Sequence, residues 1–303
     1  MENNILIKSR KPIRGYVYIV GLSAAFFFLM ISIWPGIYAL YLTFFNTDIL
    51  SYKEFIGFDN YISIFTSPLL KQIFTNNLYY VLVYNFGGLI ISLIIAALIN
   101  SIGKSWAKKL FVALYFAPGI TGIAAVAVIW KIFYYPKFGI FSTMISNIFN
   151  IATPNILGNA KTALLGLMIM DIWMSLGFRI LILNTAMDEI PESIVDAARI
   201  DGSYGLHYFF RITIPLIMRQ IIFLIAIGTI SAINVFASIF VLTSPYYGGP
   251  GNATTTLAIQ LYTEAWRSFK FGRGSVYGII ILVILIGFIY LNNRLFREEK
   301  IDI

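Results

Sequence analysis

The chain has 303 residues, 59% of them hydrophobic and only 12% charged, a balance that excludes an ordinary soluble globule. It has no cysteine and one histidine, which excludes disulfides and thiolate metal sites and leaves too little imidazole for a histidine-based one. The formal net charge of +8 reads as basic loops on one side of a membrane rather than as a nucleic-acid surface.

The apolar residues are bunched. No Asp, Glu, Lys or Arg occurs in 15–47, 72–103, 110–130, 220–263 or 274–293, and a membrane span needs roughly 20 apolar residues. The N-terminal basic residues Lys8, Arg10, Lys11 and Arg14 precede an apolar run too long for a signal peptide's core, so the first span is expected to be retained. Six helices are predicted in chain order: about 16–42, 76–99, 110–132, 162–184, 220–243 and 275–294. Pro35 interrupts the first, and Pro118-Gly119 sits in the third. A proline is tolerated there because packed neighbours can satisfy the freed carbonyl. Only the fourth helix holds charges away from its ends, Asp171 and Arg179. With the N-terminus inside, the inner segments carry 13 Lys and Arg and the outer segments 8, Arg179 being within a helix. This bias predicts both termini in the cytoplasm, with 185–219 inside and "TSPYYGGPGNATTT" outside. One membrane domain, 1–303, fits the chain, with a core at about 72–296.

The polar stretch 188–215 stands out between apolar runs. Pro191 suits a helix first turn, and 100° per residue puts Glu192, Asp196 and Arg199 in one sector, the acids near the helix start and the arginine near its end, as the macrodipole favours. Gly202 then supplies a residue that tolerates the left-handed conformation, Ser203 is placed to cap a second short helix, and Pro215 starts the next span. Two adjacent alanines, Ala197 and Ala198, let another surface approach closely. The segment reads equally as a docking element or as a helix lying on lipid headgroups.

"DAARIDG" followed by "ITIP" resembles the cytoplasmic signature of binding-protein-dependent ABC importer permeases: E-A-A, three residues, G, nine residues, I-x-L-P. Asp196-Ala197-Ala198, Gly202 and Ile212-Thr213-Ile214-Pro215 match it in spacing, with Asp196 for Glu and Ile214 for Leu. The resemblance implies an all-α polytopic fold of the type I importer kind, and a coupling helix that sits in a groove of a separate cytoplasmic ATPase. "LTSPYYGGPGNATTTLAIQLY" is similar to the loop after the fifth span of sugar-type permeases, with Gly248-Gly249-Pro250 as its core, and "FIGFDNYISIF", "IWKIFYYPKFGIF" and "DIWMSLGFRILIL" match that subfamily in kind. It implies a second homologous permease, an ATPase dimer carrying ATP and magnesium, an extracellular solute-binding protein, and a place in a bacterial or archaeal cytoplasmic membrane.

Other motifs carry competing readings. "GKS" at 103–105 lacks the glycine a P-loop needs five residues earlier, where Leu98 stands, and a membrane span precedes it, so no nucleotide site is expected. Asp171 is a candidate for the substrate pathway or for pairing between helices, whereas interhelical or interfacial pairing is the reading for Arg179. Asn85 and Asn234 can bond sugar hydroxyls or neighbouring helices; His207 reads as an interfacial residue. Gly274-x-x-x-Gly278 is a helix-packing signal. The expected function is a non-catalytic translocation subunit for a sugar or oligosaccharide. The alternatives are an ion-coupled secondary transporter, disfavoured by a single candidate acid and no internal repeat, or a permease of the same family for another solute.

Overall fold

The computed structural model describes residues 14–48, 53–103 and 105–295; Lys8, Arg10, Lys11, Lys104, Arg297 and Lys300 lie outside the described residues. Among the described residues the fold is helical with one small exception to the all-α expectation, an antiparallel pair of β1 (Phe45–Thr47) and β2 (Lys53–Phe55) in the loop after the first span. Asn60 of α3 (Asp59–Phe65) ties this loop down by donating to the carbonyls of Thr43 at 2.8 Å and Phe45 at 3.0 Å.

Four helices are long and apolar enough to cross a membrane, and two bent pairs bring the number to six if each is one span. The first span joins α1 (Arg14–Phe28) to α2 (Trp34–Leu42) through a π turn. None of its most apolar window is buried inside the chain, and Phe26, Phe27, Phe28 and Ile31 are exposed. The second span, Pro68–Asn100, runs from α4 (Pro68–Tyr80) through a π-helical segment at Val81–Gly87 into α5 (Gly88–Asn100). Ser67 starts it by accepting from the Leu69 N–H, and Pro68 occupies the first turn, where no N–H is needed.

The third span, predicted as one helix at about 110–132 with Pro118-Gly119 in it, is sharply bent. It is α6 (Trp106–Phe116) with a 3₁₀ turn to Ile120, then α7 (Ile123–Phe133), bent by 95°. Pro118 cannot donate and its ring crowds the preceding turn, while Thr121 and Gly122 turn to extended backbone. The amphipathic α8 (Ile140–Phe149), absent from the sequence reading, follows. α9 (Ala163–Asp188) is the central helix. α6 crosses it at Gly177, where a Cβ would stand 2.3 Å from the Tyr115 carbonyl oxygen. Only glycine permits that approach.

The polar stretch forms α10 (Glu192–Ile200), α11 (Gly205–Tyr208), a π turn and α12 (Ile214–Leu216). A 71° bend at Ile217 leads into α13 (Met218–Ile233). The fifth span therefore ends at Ile233, ten residues before the expected end, because the chain unwinds at Asn234–Phe236 before α14 (Ala237–Thr243). After the outer loop come α15 (Leu257–Tyr262), a π turn and α16 (Phe271–Leu295). Gly274 and Gly278 pack as predicted: added Cβ atoms would lie 2.7 Å from Ala265 Cβ and 3.4 Å from Leu261 Cδ1.

Two apolar clusters flank the bend regions. One gathers Trp130, Leu167, Met168, Met170 and Ile239; the other gathers Leu89, Ala96, Leu183, Ile217 and Leu224 beside the polar stretch.

Candidate solute cavity and coupling segment

A cavity of about 410 Å³ forms where the irregular parts of spans two to five converge. The π segment and the end of α4 supply Tyr84 and Tyr80, the bend of the third span supplies Gly119 and Ile123, α9 supplies Asp171, Met174 and Ser175, and the unwound stretch after α13 supplies Asn234, Val235 and Phe236. Broken helices place backbone and small side chains at a cavity wall, where irregular structure inside a membrane protein is tolerated.

Asp171 is the anchor of this wall. Its Oδ2 accepts from the Tyr80 hydroxyl and from Ser238 Oγ, the latter at 2.7 Å. Its Oδ1 is buried and has no hydrogen-bond partner. Asn234, also on the wall, turns its Nδ2 back to the Ile230 carbonyl at 2.9 Å. Asn85 sits differently. It is fully buried and donates to the Ile225 carbonyl at 2.9 Å and to Thr229 Oγ1 at 2.8 Å, so its amide joins the second span to α13 instead of lining the cavity. Arg179 takes the interhelical role: buried, it donates to the Asn85 carbonyl and lies under the Tyr84 ring. Asp171 and Arg179 do not pair with each other.

On the polar stretch, α10 carries Glu192, Asp196, Ala197 and Arg199 exposed, with an Asp196–Arg199 ion pair at 3.1 Å. Pro191 is the residue just before the helix rather than in its first turn. The turn after α10 is a complete double-bonded cap: Gly202 has φ +72, its N–H donates to the Arg199 carbonyl at 3.1 Å, and the Ser203 N–H donates to Ala198 at 2.8 Å. Two expectations are corrected. Ala198 faces inward at 3% exposure, because it shares the side of α10 that carries the half-buried Ile194 and Val195; Ala197 alone of the pair is open. Ser203 caps nothing. Tyr204 precedes α11, and Ser203 Oγ is buried without a partner. Ile212 is half-buried and Pro215 exposed, on the far side of the second glycine turn at Gly205, φ +56.

The loop between α14 and α15 folds onto α4. Gly248 and Gly249 have φ +151 and +69, and an added Cβ would meet Thr255 and Thr254 Oγ1 at 2.4 and 2.8 Å. Asn76 of α4 donates to the carbonyls of Asn252 and Thr255 at 3.0 and 2.9 Å. Gly249 and Pro250 border a second cavity of about 710 Å³, beside Lys131 and Lys137. Sequence reasoning found Asp171 and Asn234 but missed Tyr80, Tyr84 and Ser238, which carry no local signal in apolar helices.

Apolar, partly broken membrane-length helices packed around a cavity that holds a buried carboxylate, with a capped polar segment between spans four and five, define a membrane-embedded transport subunit. Residues 88–292 match the family described as "Binding-protein-dependent transport system inner membrane component", and the chain belongs to that family. It is 27% identical over 298 residues to the probable ABC transporter permease protein YurN of Bacillus subtilis, covering 96% of this chain and 99% of that protein. It is 26% identical over 287 residues to the sn-glycerol-3-phosphate transport system permease protein UgpA of Pectobacterium atrosepticum, covering 94% and 95%. A chain of a bacterial ABC transporter involved in the import of the acidic polysaccharide alginate superposes with a TM-score of 0.79 at 21% identity, over 93% of this chain and 96% of that one.

Proposed function

We propose that this chain is the permease subunit of an ATP-driven importer for a sugar or oligosaccharide. It forms the pathway with a second, homologous permease. The energy comes from a separate ATPase pair that holds ATP and magnesium, and an extracellular binding protein delivers the solute. The observation that carries the reading is the cavity: a carboxylate, an amide, hydroxyls from Ser175 and Ser238, and the tyrosine and phenylalanine rings around them. Sugars are bound by that mixture, polar groups taking the hydroxyls and aromatic rings the apolar ring faces. The relatives named for sn-glycerol 3-phosphate and for alginate support a polyhydroxylated cargo.

Coupling follows from position. α10 presents Glu192, Asp196, Ala197 and Arg199 on an open face, and two glycine turns and two short helices connect it to the bend at Ile217 that begins the fifth span. A push on α10 passes through the glycine turn at Gly202 and the short helices to Ile217, which packs against Leu183 and Leu224. That movement would reach the unwound stretch 234–236 at the top of α13, on the cavity wall. Both termini and α10 face the cytoplasm in this arrangement, and Gly248-Gly249-Pro250 faces the binding protein.

The test is uptake of labelled sugars by cells expressing the complete transporter, with Tyr84→Ala and Asn234→Ala beside the wild type. Both variants are expected to raise the half-saturating concentration or abolish uptake while the complex still assembles. Unchanged uptake of every sugar tested in both variants would remove the cavity from the pathway.

A further inference from the structure

We infer that the cavity selects uncharged sugars and excludes anionic ones, with Asp171 as the residue that discriminates; the inference rests on the cavity being the sugar site. Among the residues that line it, Asp171 is the acid, and none is lysine, arginine or histidine. The nearest guanidinium, Arg179, is not on the wall. It is turned away and held by the Asn85 carbonyl at 2.9 Å and Asn85 Oδ1 at 3.4 Å, behind the Tyr84 ring. A buried cation spent in this way offers nothing to a phosphate or a uronate.

The carboxylate is fixed in place. Tyr80 and Ser238 both donate to Oδ2, which leaves Oδ1 without any donor from the protein. Residue 171 is 8% exposed, so that oxygen is an acceptor that lacks bulk water and needs a donor. An anionic sugar group adds a like charge beside this carboxylate, in a site of low effective dielectric where repulsion is strong, whereas a hydroxyl adds none. The other wall groups, Ser175, Ser231 and the Asn234 amide, accommodate hydroxyls without compensating an anion. The relatives named for sn-glycerol 3-phosphate and alginate are named for charged cargo, so the inference separates this chain's cargo from theirs.

Saturation-transfer difference NMR on the assembled transporter in lipid nanodiscs tests this without the binding protein. The probes are methyl glucoside and methyl glucuronoside, which share one ring and differ in charge. The wild type is expected to saturate the glucoside about tenfold or more over the glucuronoside at equal concentration. Asp171→Asn, which keeps the shape and an acceptor oxygen, is expected to bring the two within about threefold. Equal saturation of both probes in the wild type overturns the charge selection and leaves the sugar reading standing. So does an unchanged ranking in Asp171→Asn. If neither probe is saturated by the wild type, the cavity is not a sugar site, and the inference falls with it. The wild-type ranking decides even if the variant fails to assemble.

Discussion

Arg179 Nη1 donates to the backbone carbonyl of Asn85 at 2.9 Å, joining the central helix α9 to the π-helical segment of the second span. The π turn leaves that carbonyl accessible to a side chain. Asn85 in turn bonds the Ile225 carbonyl and Thr229 on α13, so three spans meet at one polar point beneath the cavity. Glycines make room for it: an added Cβ at Gly88 would lie 3.3 Å from Arg179 Cζ, and one at Gly228 would lie 2.1 Å from Asn85 Oδ1.

Gly228→Ala is therefore expected to push the Asn85 amide out of place and loosen the contact of α13 with the second span. Asn85→Ala removes two donated hydrogen bonds and one acceptor of a buried guanidinium. Hydrogen bonds to charged groups contribute about 1.5–3 kcal/mol each, so both variants should lower the melting temperature of the detergent-solubilised complex. A melting curve indistinguishable from wild type in both variants would contradict the knot.

Gly177→Ala tests the crossing of α6 over α9. The clash is with backbone, Tyr115 O at 2.3 Å and Phe116 Cα at 2.4 Å, which no rotamer change relieves. Overpacking of this kind costs about 1–3 kcal/mol or more. The expected result is poor membrane accumulation, read by immunoblot, while Gly21→Ala, with open space around it, accumulates normally.

Sidedness is checked by single cysteines in a chain that has none of its own. Ile200 is 87% exposed on α10 and Tyr246 is 82% exposed in the outer loop, so a thiol at either place is reachable. Tyr246→Cys should react with an impermeant maleimide from outside the cell and Ile200→Cys should react only after the membrane is opened. Reaction of Ile200→Cys from outside would reverse the topology and end the coupling reading of α10.

Gly202 has open space around it, so its cost on substitution is conformational alone. An L-residue in the left-handed region costs roughly 1–2 kcal/mol, and a β-branched one is worse placed. Gly202→Val should break the two cap bonds to Arg199 and Ala198, reorient α10, and lower sugar-stimulated ATP hydrolysis of the complete transporter while the spans stay inserted. Gly202→Ala should fall between it and wild type. Because Ala198 is buried within the chain, Ala197→Asp, not Ala198→Asp, is the substitution that places charge on the open face, and it should weaken ATPase retention on affinity purification.

What the sequence determined by itself was local, and even there it missed α8 and misplaced the Ser203 cap. Uncharged intervals of span length marked five of the six predicted membrane-crossing segments, because the bilayer imposes a length on any apolar run. The turn after α10 was legible because Gly202 tolerates a positive φ that other residues there would resist, and the Gly274–Gly278 spacing marked a packed helix face. Only the tertiary structure decided the rest. Tyr80 meets Asp171 across 91 residues of chain and Arg179 meets Asn85 across 94; no pattern along either helix specifies such partners. The inward turn of Ala198 depends on which side of α10 packs against the chain, and the 95° and 71° bends depend on neighbours that satisfy the broken backbone. Helix periodicity and caps act within a few residues, whereas a cavity is set by how distant spans pack, and that is why Asp171 could be picked out as a lone acid while the tyrosine and serine that orient it could not.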